Sequence, residues 1–184
     1  SRWFARSVTT SRRLSAVELR VLGSLMEKER TVPDQYPLSL NALRLACNQQ
    51  TSREPVMSLT EDEVRDAVRS LANSGWARLA SGTGSRVAKY RHDFDESLDL
   101  LPSESSILAV LFLRGPQTVN ELRTRTERAH HFADNDQVVS TLERTPIGLR
   151  VAWYDRATGQ PLGSLPVSRK ANPELTATDT TIVY

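Results

Sequence analysis

The sequence predicts a mainly α-helical α+β protein: two winged-helix units in tandem, each made of three helices that run into a small β-hairpin. Three observations predict it. Capping boxes at Ser15–Glu18, Thr60–Glu63 and Thr118–Glu121 mark helix starts, because the hydroxyl takes an orphan backbone N–H while the glutamate reaches back to the cap. Apolar residues follow these boxes at helical spacing. The order helix, helix, helix, hairpin is complete by His92 and begins again after an acidic stretch.

Each element of the first unit has a local cause. Val17, Val21, Leu22 and Leu25 make one apolar face after the Ser15 cap, and this helix is expected to fade near Glu29, ahead of Pro33. Pro33 and Pro37 make residues 31–38 a loop. Ser39 caps a short second helix in which Leu40, Leu43 and Cys47 share a face, so Cys47 reads as core and not as nucleophile. After the polar connector Asn48–Ser58, Val64, Ala67, Val68 and Leu71 give the spacing of a core-facing third helix, which Gly75 stops. Strands over Trp76–Ala80 and Arg86–His92 flank the turn Ser81–Ser85.

The second unit opens at Pro102-Ser103 with a helix that turns Ile107, Leu108 and Leu111 inward, broken by Gly115-Pro116. Val119 and Leu122 follow the Thr118 cap. Asp134 caps a third helix carrying Val138, Val139 and Leu142, ended by Pro146 and Gly148. Leu149–Tyr154 and Pro161–Leu165 form a second hairpin around Thr158-Gly159, with Pro161 marking an edge strand. The division that follows is a basic arm at 1–13, a first unit at 14–94, an acidic linker at 95–101, a second unit at 102–165 and a Thr-rich tail at 166–184.

Composition narrows the class. With 39% hydrophobic and 25% charged residues the chain is ordinarily globular, and 6% aromatics make its core aliphatic. The longest nearly apolar run, Ile107–Leu113, is far short of the ~20 residues that span a bilayer. The N-terminal stretch lacks the apolar segment of a secretory signal. A lone cysteine forms no intramolecular disulfide and fits a reducing compartment, so the expectation is a cytoplasmic protein with no membrane partner. The net charge of +2 is uneven: residues 1–13 carry four arginines and no acid, whereas Asp93, Asp95, Glu96 and Asp99 stand together without a base. A strongly basic nucleic-acid binder would carry more positive charge than this.

Several stretches are more distinctive than the fold pattern. They are Thr31-Val-Pro-Asp-Gln-Tyr-Pro-Leu-Ser-Leu-Asn-Ala-Leu43, Gly84-Ser-Arg-Val-Ala-Lys-Tyr-Arg-His92, Leu113-Arg-Gly-Pro-Gln-Thr118 running into Glu121-Leu-Arg-Thr-Arg-Thr-Glu-Arg128, and Phe132-Ala-Asp134. With these the chain resembles the YceH family of bacterial proteins over residues 14–144. The resemblance implies a tandem winged-helix fold in a bacterial cytoplasmic protein, and no enzyme activity or cofactor. Residues 1–13 lie outside it. After Glu143 the chain departs from the family, whose members continue into a basic, arginine-rich second wing, unlike Pro146–Leu165 here.

Candidate binding residues fall in four places. On the first hairpin, Arg78, Arg86, Lys89 and Arg91 are placed to contact phosphates. Strand alternation puts Arg86, Ala88 and Tyr90 on one face and Val87, Lys89 and Arg91 on the other. The same hairpin also reads as an ordinary solvated turn, and Gly82 and Gly84 lack the strand-to-helix context of a nucleotide loop. The third helices open with Glu61, Asp62, Glu63 and Asp66, and with Asp134 and Asp136. Those acids suit the helix dipole and oppose base reading in a DNA groove. Arg125 and Arg128, with Arg123 nearby, share a helix face as a phosphate patch or a solvated surface partly paired with Glu121 and Glu127. Asp34, Gln35 and Tyr36 form a candidate partner-binding loop, or Tyr36 packs over the first helix. Adjacent His130 and His131 point apart, so no metal site is expected, and no local nucleophile–base arrangement suggests an enzyme or a cofactor. The leading expectation is a regulator that binds double-stranded DNA through wing-to-phosphate contacts. The alternative is a protein-interaction adaptor with no DNA binding, and a homodimer is compatible with either.

Overall fold

The computed structural model describes residues 14–80 and 87–144 in full, together with the backbone of 150–154, 161–166 and 181–182. Helix α1 (Ala16–Thr31) starts where Ser15 accepts the Glu18 N–H at 3.1 Å and the Glu18 carboxylate accepts the Ser15 N–H at 2.8 Å. It runs two residues past the expected end at Glu29, with Lys28 and Arg30 in the last turn, where cations suit the carbonyl end. A 3₁₀ turn at Pro33–Gln35 leads to β1 (Leu38–Ser39) and to α2 (Leu40–Cys47), capped by Ser39. Helix α3 (Glu61–Asn73) carries the Thr60–Glu63 capping box and buries Val64, Ala67, Val68 and Leu71. Gly75 ends it at φ 75°, a left-handed conformation that side chains disfavour.

Strands β2 (Ala77–Leu79) and β3 (Lys89–His92) pair antiparallel, and β1 joins the far side of β3, giving the order β1-β3-β2. Both hairpin strands are shorter than the alternation predicts, and residues 81–86, with the predicted turn and Arg86, lie outside the described residues. On β3 the inward positions are Tyr90 and His92, and Lys89 faces solvent. Residues 95–101, read as a linker, are partly helical: α4 spans Phe94–Leu98. Its cause is Phe94, buried edge-on against Trp76 and Phe112, with ring centroids at 5.2 and 5.9 Å.

Helix α5 (Pro102–Arg114) begins where Glu104 accepts the Leu101 N–H at 2.7 Å. Then come β4 (Gln117–Thr118), α6 (Val119–Thr126), capped by Thr118, and α7 (Asn135–Arg144), where Asp134 accepts the Gln137 N–H. The backbone of β5 (Arg150–Tyr154) and β6 (Pro161–Pro166) pairs antiparallel, close to the predicted ranges. Strand β7 (Thr181–Ile182), in the stretch read as a tail, pairs with β4. The molecule is therefore mostly helical with small antiparallel sheets. No helix among the described residues is long and apolar enough to cross a membrane.

Two aliphatic cores meet on α5. Leu108, Ala109 and Phe112 join the first core with Leu22, Leu25, Leu43 and Leu71. Ile107 and Leu111 join the second with Leu122, Phe132, Val138 and Leu142. Helix α5 is apolar almost all round because both faces are covered. Helix α1 packs along it at Gly23, where an added Cβ would lie 3.0 Å from Leu113 Cγ and from Phe112 Cβ.

Two buried arginines fasten the connector between α2 and α3. Arg20 donates to the carbonyls of Cys47 and Pro55. Arg53, its side chain fully buried, donates to Ala46 O, Ser52 O and Gln49 Oε1 and forks onto both Glu27 oxygens at 3.1 and 2.7 Å. All five guanidinium N–H groups thus have acceptors. Cys47 is buried, as its apolar face predicts, and burial pushes its thiol up to about 11, far from a nucleophile's range.

Candidate functional site

Two of the basic residues predicted on the first hairpin, Arg78 and Arg91, are engaged by acids. Arg78 is exposed and donates to Asp93 Oδ1 at 2.9 Å. Arg91 lies 3.6 Å from Glu29, 3.6 Å from Asp93 and 3.8 Å from Glu96. The acidic run that the sequence separates from the hairpin folds back on it through α4 and offsets its charge.

Behind Arg91 lies a polar cluster in which Glu29 meets His92 and Asp95 from far away in sequence. His92, 2% exposed, places Nε2 at 2.8 Å from Glu29 Oε2 and Nδ1 at 4.0 Å from Asp95 Oδ1. Glu29, His92 and Asp95 bring three potential ligand atoms within 4.8 Å of one another, a juxtaposition that residue spacing does not reveal. Both carboxylates also face guanidinium groups: Asp95 accepts from Arg30 at 2.6 Å and Glu29 lies beside Arg91. This arrangement suits an ion-pair network around an imidazole better than a cation site.

The network has a consequence for acid stability. The His92 hydrogen bond holds the Glu29 carboxyl below its ordinary value of 4.5, with Arg91 and Arg30 assisting against the opposing effect of burial. Burial raises the Glu27 carboxyl, but the Arg53 fork outweighs it and the net shift is downward from 4.5. Groups depressed on folding stabilise the native state above the unfolded-state value, and that stability is lost as pH falls through the folded value. The unfolding free energy should therefore decline as pH is lowered below about 4.5, with a shallower decline in Glu29→Gln. Denaturant titrations across this range check it, and unchanged stability on acidification would refute it.

Among the described residues, one surface left open lies between α3 and the hairpin. A groove of about 230 Å³ has Val68, Ala72, Leu79 and Tyr90 as its floor and Arg65, Arg69 and Arg78 as its rim. Leu79 is 58% exposed, and Val87 on the same hairpin is 55% exposed. The signal in the sequence is an apolar residue at a strand tip, beyond the reach of the core that covers Ala77. Arg65 pairs with Asp62 and Arg69 sits 3.9 Å from Asp66, both pairs being solvated. The α3 acids Glu61, Asp62, Glu63 and Asp66 are all exposed.

The remaining candidates sit elsewhere. Asp34 and Gln35 are exposed on the 3₁₀ turn, whereas Tyr36 is half-buried, and its hydroxyl accepts the His92 N–H at 2.8 Å. Burial raises the Tyr36 hydroxyl pKa. Tyr36 thus ties its loop to β3. Arg125 lies 3.3 Å from Glu121, and Arg128 is exposed just after α6. The structure joins Arg78 and Arg91 around Asp93 but places Arg125 and Arg128 in a different cleft.

The family described as "Protein of unknown function, DUF480" matches residues 14–158. A UPF0502 protein of Pseudomonas fluorescens is 54% identical over 148 residues, 80% of this chain and 68% of that protein. A UPF0502 protein of Pseudomonas putida is 52% identical over 132 residues, 72% of this chain and 60% of that protein. One from Pseudomonas syringae is 49% identical over 136 residues, 74% of this chain and 60% of that protein. The chain thus spans 60 to 68% of the length of these relatives.

Proposed function

The chain belongs to the DUF480 family, and from that premise we propose that it is a non-catalytic, cytoplasmic adaptor built on two tandem winged-helix units, which binds an acidic-apolar peptide segment of a protein partner. The winged-helix reading is supported by three helices followed by a hairpin, with a strand ahead of α2 joining the same sheet. The YceH resemblance belongs to the same reading. The observation that carries the function is the groove beside Leu79, a leucine more than half exposed over an apolar floor and rimmed by arginines. Its floor suits an apolar side chain and its rim suits flanking carboxylates, since solvated pairs such as Arg69–Asp66 exchange partners at little cost. Wing-to-phosphate binding of DNA draws less support. Arg91 faces Glu29, Asp93 and Glu96 together, and the exposed leucine of the groove offers nothing to a phosphate backbone.

Selection of a displayed random-peptide library against the full chain tests this. Enriched peptides should combine aspartate or glutamate with a large apolar residue. Burial of one leucine contributes about 1.5–3 kcal/mol, so Leu79→Asp should weaken a selected peptide by roughly 10–100-fold. A parallel salt titration with mixed duplex DNA decides the other way. Tight, steeply salt-dependent binding that is lost in Arg86→Ala and Lys89→Ala, with no peptide enriched, would overturn the adaptor reading.

A further inference from the structure

We propose that the cleft between α1, the connector after α2 and the α5–α6 region binds a small phosphorylated ligand, its phosphate held by Arg125 and Arg128 with Lys28. The cleft has a volume of about 200 Å³ and shares no lining residue with the groove beside α3. Lys28, Arg30, Arg125 and Arg128 line it, and Glu27 is the one carboxylate among the lining residues. Both Glu27 oxygens accept from Arg53, and Lys28 reaches one of them only at 3.5 Å, a contact a phosphate would compete with. Arg128 is exposed and forms no hydrogen bond or ion pair among the described residues.

The charge around the cleft is crowded. Burial lowers the pKa of adjoining Arg114, and Arg125 and Arg53 push it the same way against Glu27 and Glu121. His130 is lowered by burial and then by Arg30 and His131. These cations come from segments far apart in sequence, and their mutual repulsion costs free energy that a bound anion would offset. Neutral donors complete the site: Thr51 and Ser52 present hydroxyls. Gln49, whose amide oxygen serves Arg53, has its NH₂ left to donate. Guanidinium forks match phosphate oxygens in geometry as well as charge. No aromatic side chain lines the cleft, and Ala109, Val110 and Leu113 form its apolar wall. A phosphate on a short aliphatic body fits this lining, and a stacked nucleobase does not.

The test is calorimetric titration of inorganic pyrophosphate into the full chain at constant ionic strength. Saturable binding is expected, weakened about tenfold or more by Arg128→Glu and by Arg125→Ala. Arg69→Ala, on the other groove, should leave it unchanged. Circular dichroism confirms that the variants fold, since both substituted side chains lie on the exposed surface. Absence of binding overturns the proposal. So does binding indifferent to both variants, or matched by sulfate with the same indifference. If duplex DNA binds in an Arg128-dependent way and pyrophosphate does not, these arginines serve a nucleic-acid backbone and the small-ligand site is wrong. Each of these failures leaves the peptide groove untouched.

Discussion

Replacing Arg53 by methionine should lower the unfolding free energy by about 3–5 kcal/mol. The side chain is 0% exposed, and its guanidinium bonds Glu27, Gln49 and the carbonyls of Ala46 and Ser52. Methionine fills comparable volume and offers no donor. Its introduction leaves buried carbonyls and the Glu27 carboxylate short of partners, which costs more than the original bonds contribute. A single domain is stable by about 5–15 kcal/mol, so this loss removes a large share of the total. The double variant Arg53→Met with Glu27→Met should recover part of it, because no charge is then left unpaired. Denaturant unfolding followed by circular dichroism measures both. A loss below about 1 kcal/mol for the single variant would show that water replaces the guanidinium and that the fork does not fasten the connector.

That fork also shows where sequence reasoning stops. The helix starts were legible because a capping box is complete within four residues: Ser15–Glu18, Thr60–Glu63 and Thr118–Glu121 all close as their spacing predicts. The core faces of α3 and α7 were legible for the same reason, since helical periodicity is local. Arg53 and Glu27 lie 26 residues apart, and Glu29 and His92 lie 63 apart, so nothing in either neighbourhood announces the pair. The arginines of the hairpin gain acidic neighbours in the same way. Local pattern marks Arg78 and Arg91 as a basic wing, and the fold sets Asp93 beside both and Glu96 beside Arg91. A cue was present in Phe94, an aromatic set between two aspartates, which demands burial and bends the acidic run into α4. The groove at Leu79 was hidden because exposure at a strand tip depends on how far the core extends beneath it.

Substituting Gly23 by valine should cost about 2–3 kcal/mol, and the reason bears on how the two cores are joined. Glycine inside a helix is itself unfavourable by about 0.8–1.0 kcal/mol relative to alanine. Its presence in the middle of α1 therefore needs a packing cause. An added Cβ would meet Leu113 Cγ and Phe112 Cβ at 3.0 Å and Leu113 Cδ2 at 3.1 Å. The leucine tip has room to rotate away, but Phe112 Cβ is fixed to the α5 backbone, so relief requires α5 itself to move. Because α5 carries Phe112 into the first core and Leu111 into the second, that movement loosens both. Valine adds two further methyl groups to the collision. For Gly23→Ala the helix gain of about 1 kcal/mol opposes the clash and the net loss should be small. Denaturant unfolding of the pair measures the difference between them. If Gly23→Ala proves more stable by the full propensity gain and Gly23→Val is tolerated, α1 and α5 have space between them and the close approach does not join the cores.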